Sequence, residues 1–251
     1  MGTATKNRID KLNGDMEIAE AQARDKKKEV VQIKPLRLTV LELVIVGTAP
    51  YMQLRFSQKA IGKMMATQQA GTQAKSKKNR EARDFDDDYR QAFHLFPDGK
   101  PGIPASSIRA ACISACRTVG FKMTLAKLSI FCEADGLDIV DGVPLIKIFG
   151  TPERSIMPAR NANGGTDLRV RPIWKEWKAN VRIRFDEDQF SASDACNLLA
   201  RAGAQVGIGE GRPDSRESAG IGFGTFRILM KDDEANDSQA SAIVAHASIA
   251  K

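Results

Sequence analysis

The chain has 251 residues, 42% of them hydrophobic and 27% charged, so it is long enough to bury a sizeable core as one large domain. Lys and Arg outnumber Asp and Glu by 38 to 31, which gives a formal net charge of +7 and makes the position of the charges more informative than their sum. The four cysteines have apolar neighbours, the N-terminus lacks an apolar signal segment and no apolar run is long enough to span a bilayer, so the sequence predicts a cytoplasmic protein with no membrane association.

Two terminal segments differ in composition from the rest of the chain. Residues 1–34 and 231–251 are rich in charged and small polar residues, which predicts a flexible N-terminal arm and a flexible C-terminal tail. A single folded domain is expected over residues 35–230. Within it, residues 57–96 are rich in Ala, Gln, Lys and Arg with weak apolar periodicity, and they predict a polar helical insertion.

The folded part alternates strand and helix patterns. Alternating β-branched residues predict a strand over 36–46, and the break at 101–104 precedes a helix capped by Ser106 or Ser107. A second helix follows a cap at Ser191. Further strands are predicted over 125–133, 144–149, 168–173, 179–185 and 224–230. This order predicts an α+β fold with a ferredoxin-like (RRM-like) βαββαβ core, a helical insertion and an extra β-hairpin. Such a sheet, covered by helices on one face, leaves its other face free for a ligand.

Basic residues are concentrated between residues 154 and 184, where eight Lys and Arg residues stand against two acidic ones. In two predicted strands, arginines alternate with apolar residues, which places four of them on one face of a hairpin without nearby acidic partners. This stripe consists of Arg169, Arg171, Arg182 and Arg184. Arg160 belongs to the same basic segment, and Trp174 is expected to be exposed near the hairpin tip. Arginine binds phosphate and stacks on bases, as exposed tryptophan does, so this face predicts a nucleic-acid-binding surface. The alternative is a solvated outer face.

A glycine-rich loop runs from Gly207 to Gly224. A dinucleotide-binding fingerprint is excluded, because that motif lies between a strand and a following helix, and here a helix comes first and a strand follows. Alternating glycines allow the backbone to approach a ligand closely and leave amide groups for phosphates. The alternative is a flexible hairpin with bulges.

Two further charged stretches leave alternatives open. Residues 55–83 contain eight basic residues and one acid, and they either follow a phosphate backbone or form a mobile helical flap whose charges keep it soluble. Residues 84–88 carry four aspartates, which predict either a Mg²⁺ site or, as the better interpretation, a solvated helix end.

Residues suited to catalysis are sparse. The chain has two histidines, His94 and His246, which are hard to combine into a Ser-His-Asp or Cys-His site. Cys112 and Cys116 stand one helical turn apart without histidine support, which argues against zinc. We therefore expect no enzymatic activity, no cofactor and no metal.

Two stretches resemble the RAMP superfamily, the backbone subunits that line up along guide RNA in CRISPR effector complexes. Residues 103–110 resemble the proline-small-Ser-Ser start of that family's first helix, and residues 207–226 resemble its C-terminal glycine-rich loop. The resemblance implies phosphate contacts for Ser106, Ser107 and Arg109. It also implies a nucleic-acid path lined by Gly209, Gly211 and Arg212. RNA-cutting members carry an aspartate in the loop after the first strand, where this chain has no acid at residues 47–50, so cleavage is not expected.

The leading expectation is non-catalytic, largely sequence-independent binding of RNA or single-stranded DNA by subunits that assemble side by side as a homo-oligomer or filament. The chain also resembles uncharacterised proteins of tailed phages and prophages, which would place it in the host cytoplasm. The alternative is therefore a phage structural or assembly protein, or another protein-interaction protein, whose arginines pair with an acidic partner. A nuclease that uses the carboxylates of residues 84–88 is a third and weaker hypothesis.

Overall fold

The computed structural model of the chain describes residues 33–71, 82–160, 165–215 and 220–229. The chain divides into two units, residues 1–36 and residues 37–251. The described part of the first unit, residues 33–36, has no regular secondary structure, and Ile33 and Leu36 are exposed. The predicted arm (residues 1–34, apart from residues 33 and 34) and the predicted tail (231–251) lie outside the described residues.

The second unit is a mixed α+β structure. Its strands within the described ranges are β1 (Leu38–Gly47), β2 (Tyr51–Met52), β3 (Gly102–Pro104), β4 (Ile130–Glu133), β5 (Gly136–Leu137), β6 (Pro144–Phe149), β7 (Glu153–Arg160), β8 (Thr166–Trp174), β9 (Lys178–Asp186) and β10 (Phe226–Ile228). Its α-helices there are α1 (Gln58–Ala70), α2 (Phe85–Gln91), α3 (Ala105–Ala115), α4 (Met123–Ser129) and α5 (Ala192–Arg201). No helix in these ranges is both long enough and apolar enough to cross a membrane.

The larger sheet is built around β1 and β9. β9 pairs along one edge with β1, and β1 pairs on its other side with β10. The second edge of β9 is shared, since β6 pairs with its first residues and β4 with residues 182–185. β3 and β5 both pair with β6, and every pairing is antiparallel. Side chains of β9 alternate between buried and half-buried, so one face of this sheet faces the core.

Helices α3 and α5 cover the core face of the larger sheet. Both were predicted, and both bury the apolar stripe that their periodicity indicated. Ser191 and Asp194 form a reciprocal capping box at the start of α5, as the sequence predicted. Val119 continues the apolar spacing of α3 beyond its last turn but is 48% exposed. The helix tightens to a 3₁₀ turn over Cys116–Val119, and this rotates the last side chains away from the core.

The smaller sheet has the order β2–β8–β7. The hairpin predicted from the strands at 168–173 and 179–185 is therefore wrong: β8 pairs with β7 and β2, whereas β9 belongs to the larger sheet. The turn between β8 and β9 crosses from one sheet to the other; its residues Lys175 and Glu176 are exposed, whereas the flanking Trp174 and Trp177 are buried. Gly47 donates its amide to the Trp177 carbonyl at 2.8 Å, and the Trp177 indole donates to the Ala49 carbonyl at 2.9 Å. These bonds fix the crossing point against the end of β1.

The strand predicted over 125–133 is confirmed only for its last four residues, because residues 123–129 form α4. Ala126 and Ser129 are buried there, and the Ser129 hydroxyl donates to the Leu125 carbonyl one helical turn earlier. The run of apolar residues resembled a strand, so the sequence pattern did not reveal this helix. Within residues 57–96, the described parts contain α1 and α2, neither of which buries a residue.

Candidate functional site

A cavity of about 600 Å³ lies between α3 and the glycine-rich loop. One wall is the exposed side of the first turns of α3, and the opposite wall is the loop that follows α5. It brings together residues that are about a hundred positions apart in sequence. Five predicted site residues line it: Ser106, Ser107, Gly209, Gly211 and Arg212. The volume is in the range of ordinary small-ligand sites.

The N-terminus of α3 opens onto this cavity. The residue at the N-cap is Pro104, and no side chain caps the amide groups of the first turn. The first amides of a helix have no partner within the helix, and the helix dipole makes this end attractive to anions. Ser106 and Ser107 add two hydroxyl donors at the same place. This wall can therefore bind a negatively charged group.

The glycine-rich loop is shaped by its contacts with β2. A π-helix over Ala202–Val206 leads out of α5, and Gly207, Gly209 and Gly211 then take positive φ angles of 71°, 78° and 79°. At Gly209 a Cβ atom would collide with the Met52 carbonyl oxygen and lie 2.7 Å from the Tyr51 ring. The close approach predicted from the glycines is therefore an approach to the protein itself.

The amide groups of this loop are largely used inside the protein. Ile208 donates to the Gly224 carbonyl at 3.0 Å, and Glu210 donates to the Met52 carbonyl at 2.9 Å. The expectation that alternating glycines leave these amides for phosphates is wrong for both residues. The loop forms one wall of the cavity and adds to it the guanidinium of Arg212, which donates to the Gly209 carbonyl at 3.1 Å.

Two carboxylates also line the cavity, and each is neutralised by arginine. Glu210 pairs with Arg171 at 2.8 Å and with Arg169 at 3.1 Å. Asp214 accepts hydrogen bonds from Ser114 and, at 2.6 Å, from Arg117. The bond from Ser114, followed by that from Arg117, lowers the pKa of Asp214 below its ordinary value. Both carboxylates are therefore paired with arginines, and Arg212 is the remaining guanidinium among the described residues that line the cavity.

The four arginines predicted to form one stripe do not share a surface. Arg169 and Arg171 lie on β8 of the smaller sheet, while Arg182 and Arg184 lie on β9 of the larger one. Each also has an acidic partner from a distant part of the sequence. Arg182 pairs with Asp135 at 2.9 Å and with Glu133 at 3.6 Å, and Arg184 pairs with Glu133 at 3.6 Å. The expectation of aligned arginines without nearby acids is therefore wrong, because strand pairing and loop packing bring those acids in.

Two other predicted residues, Arg109 and Trp174, also lie away from the cavity wall. Arg109 is directed to the end of α4, where it donates to the Ile130 carbonyl at 2.9 Å and stacks over Phe131. Trp174 is completely buried and packs against Tyr51 with ring centroids 5.5 Å apart, so its prediction as an exposed stacking residue is wrong. Arg160 ends β7 opposite Thr166, and its side chain lies outside the described part of the chain.

Sequence reasoning missed a buried polar cluster in the lining of the cavity, formed by Tyr51, Gln53 and His94. Gln53 is buried, donates to the Tyr51 hydroxyl at 3.2 Å and accepts the His94 amide at 3.0 Å. The His94 ring contacts Asp138 through Nδ1 at 3.0 Å. His94 and Asp138 are 44 positions apart, and no local pattern in the sequence joins them.

Asp138 is held as a carboxylate. Burial alone would raise its pKa, but hydrogen bonds from the amides of Asp141 and Val140, and then from His94, outweigh this and hold the pKa of Asp138 below its usual range. With the carboxylate ionised, Nδ1 of His94 carries the proton and donates it to Asp138. Nε2 is then the polar atom of the ring that remains for a ligand. Among the described residues, no hydrogen bond to Nε2 is found.

A metal ion is a poor match for this cluster. His94, Asp138 and Asp141 place one ligand atom each within 4.8 Å of one another. However, Arg55 already binds Asp141 through two nitrogens at 2.8 and 3.1 Å, and Gln58 binds it at 3.0 Å. The guanidinium supplies the positive charge that a cation would bring.

The aspartates at residues 84–88 act as a helix start. Asp84 caps α2 by accepting the amides of Asp86 and Asp87 at 2.9 and 3.0 Å. Asp88 pairs with Arg83 at 2.6 Å, and Asp86 pairs with Arg154 on β7. These contacts are those of the solvated helix end that the sequence favoured over a Mg²⁺ site.

The chain was also compared with known proteins. Neither the protein-family models nor the curated proteins give a match to this sequence.

Proposed function

We propose that this protein binds RNA or single-stranded DNA without marked sequence preference, by holding a backbone phosphate in the cavity between α3 and the glycine-rich loop. The observation that carries this proposal is the convergence of Ser106, Ser107 and Arg212 on one cavity at the uncapped start of α3. Hydroxyl groups, helix amides and a guanidinium donate hydrogen bonds to phosphate oxygens. These contacts do not depend on which base the nucleotide carries. Such a site binds the backbone without reading the sequence.

The surface proposed to contact the nucleic acid differs from the one that the sequence predicted. The cavity replaces the arginine stripe as the binding surface, because Arg169, Arg171, Arg182 and Arg184 are paired with acids of the same chain. In this proposal they hold the sheets and the loop in position. Catalysis is not part of the proposed function.

We also propose a ferredoxin-like core. β10, β1, β9 and β4 lie side by side in this order, and all neighbours are antiparallel. α3 lies between β1 and β4 in the chain, and α5 lies between β9 and β10. This is the order of a βαββαβ unit. It agrees with the RAMP resemblance of residues 103–110 and 207–226, and with it we propose that subunits assemble side by side along one nucleic-acid strand.

A salt titration tests the proposed function. Fluorescence anisotropy of a labelled oligothymidylate and of a matched oligouridylate should give a dissociation constant that increases steeply with salt, since phosphate contacts release counterions. Arg212→Ala should weaken binding and lower the salt slope by roughly one. Arg37→Ala is the charge-matched control, because Arg37 pairs with Asp188 and does not line the cavity. Absence of binding at low salt, or equal loss in both variants, would reject the function.

A second candidate is a structural or assembly protein that binds another protein. It is favoured by apolar side chains at the surface. Leu54 and Phe56 are 42% and 61% exposed, and Ile139 and Val140 are 60% and 52% exposed. The ion pair between Arg55 and Asp141 links the two segments. Exposed apolar surface of this kind is typical of interaction sites. Stable oligomers that form without nucleic acid and dissociate in a Phe56→Ser variant would support this candidate.

A further inference from the structure

The lining of the cavity includes a histidine, His94, whose Nδ1 already contacts Asp138. His94 is 8% exposed, and the side chain of Asp138 behind it is 1% exposed. The carboxylate fixes Nδ1 as a donor, so the state of Nε2 determines what the cavity can accept there. A neutral ring presents a lone pair at Nε2, whereas an imidazolium presents a second N–H donor.

We infer that His94 binds the phosphate in its protonated form, so that nucleic-acid binding at this cavity takes up one proton; this rests on the proposed function. A phosphodiester is an anion without a proton to donate at neutral pH, and it cannot donate to the lone pair of a neutral ring. An imidazolium held between the Asp138 carboxylate and the phosphate satisfies both ring nitrogens with charge-assisted hydrogen bonds. Binding and protonation therefore favour each other.

Each carboxylate around the cavity is already paired with another group of the chain. Asp138 faces Nδ1 and stabilises the imidazolium, and the charge of Asp141 is balanced by Arg55. On the loop, Glu210 and Asp214 are paired with arginines, as described above. A phosphate in this cavity is therefore offered the guanidinium of Arg212 and an imidazolium at His94, with no unpaired carboxylate among these residues opposing it.

Tyr51 contributes a donor on the same side. Its hydroxyl accepts from Gln53 at 3.2 Å and keeps its own proton for a further acceptor. Burial raises the pKa of Tyr51 well above its ordinary value, so the hydroxyl is protonated throughout the physiological range. The charge of Tyr51 therefore stays constant over the pH range of the test described below, so Tyr51 adds a donor without adding a pH dependence.

The test measures oligonucleotide affinity as a function of pH. Full-length protein is titrated with labelled oligothymidylate that carries no terminal phosphate, from pH 5.5 to 8 at constant ionic strength. Thymine has no group that titrates in this range. Uptake of one proton predicts a dissociation constant that increases by up to about tenfold per pH unit on the alkaline side of the transition. The salt slope should be about one unit larger at pH 5.5 than at pH 8.

Two histidine variants form a matched pair. His94→Gln should bind with a dissociation constant that does not change with pH, at or above the wild-type value at pH 8. His246→Gln, the other histidine of the chain, should keep the wild-type profile. Should His94→Gln fail to fold, Asp138→Asn provides a second measurement. It removes the carboxylate that stabilises the imidazolium, and it should move the binding transition to lower pH.

The outcomes separate this inference from the function on which it rests. If neither the oligothymidylate nor the matched oligouridylate binds at any pH, the proposed function is rejected. Binding that is independent of pH in the wild type, or pH dependence that persists in His94→Gln, would overturn the role of His94 while leaving the function intact. Binding confined to an oligonucleotide with a 5′-phosphate, or displaced fully by equimolar inorganic phosphate, would contradict the assignment to a backbone phosphodiester.

Discussion

Arg171 on β8 donates a hydrogen bond from Nε to Glu210 in the glycine-rich loop at 2.8 Å. The two side chains are 15% and 22% exposed, so the pair is largely removed from solvent. It joins the smaller sheet to the wall of the cavity. Arg171, which the sequence predicted to bind phosphate, thus binds the glycine-rich loop that forms one wall of the cavity.

Replacing Arg171 by Ala should therefore destabilise the protein before it affects binding directly. Loss of one partner leaves Glu210 partly buried with fewer donors, which we expect to lower the free energy of unfolding by about 2 kcal/mol. A thermal melt and a denaturant titration measure this, with Arg37→Ala as the exposed control that should melt close to the wild type. A variant that melts as the wild type does but loses its salt-dependent affinity would instead show that Arg171 contacts phosphate directly.

Gly209→Val should disrupt the loop. The φ angle of 78° is unfavourable for a β-branched residue, and its Cβ would collide with the Met52 carbonyl oxygen, so a cost of at least about 2 kcal/mol is expected. Affinity should fall together with the melting temperature. Gly222→Ala is the control, since Gly222 also has a positive φ, of 84°, but a Cβ there meets no atom within 4 Å. Equal effects of the two substitutions would show that the contact with β2 is unimportant.

The protein should lose stability in acid through Asp138 and Asp141. Hydrogen bonds from Arg55 lower the pKa of Asp141, and amide hydrogen bonds outweigh burial to lower that of Asp138. Because both values are below those of the unfolded chain, folding favours the ionised forms. Their contribution is complete above about pH 4 to 5 and is lost as pH falls through the folded-state values. Melting temperatures from pH 2.5 to 6 measure this, and Asp138→Asn should be less stable at pH 6 with a shallower acid slope.

Purified protein should leave RNA and DNA intact in the presence of Mg²⁺ or Mn²⁺. The carboxylates of residues 84–88 are engaged as a helix cap and in pairs with Arg83 and Arg154, which reduces their ability to hold a divalent ion. Incubation of single- and double-stranded substrates followed by denaturing electrophoresis measures cleavage. Cleavage that disappears in an Asp86→Ala, Asp87→Ala double variant would instead establish a nuclease.

Local sequence patterns predicted much of the framework. β1, β6 and β9 follow alternation, and α3 and α5 follow helical periodicity, since these signals depend on neighbours along the chain. β7 was missed because Pro158 and several polar residues weaken its strand pattern. The hairpin error has a different origin. Alternation gives the face of a strand but not its partner, and β8 and β9 choose partners far away in sequence.

In the candidate site, too, local patterns were informative and contacts between distant residues were not predicted. The serines and glycines of the cavity were predicted from short stretches that resemble a known family, and these stretches lie together in the structure. The acids that pair with the arginines, and the contact between His94 and Asp138, arise between residues dozens of positions apart. Charge runs in the sequence therefore overstated the exposed positive surface, because tertiary contacts supply their counter-charges.

If nucleic acid occupies the cavity beside α3, as proposed, a substitution that fills this cavity should weaken binding. Ala110 is exposed on α3 and lines the cavity, so Ala110→Leu adds bulk there while keeping a residue that favours helix. Ala192→Leu adds the same bulk at an exposed position of α5 that does not line this cavity. In oligothymidylate titrations at low salt, Ala110→Leu should bind at least about tenfold more weakly than the wild type, a loss of about 1.4 kcal/mol, with an unchanged melting temperature. Ala192→Leu should bind as the wild type does. Wild-type affinity in a folded Ala110→Leu variant would show that nucleic acid does not occupy this cavity.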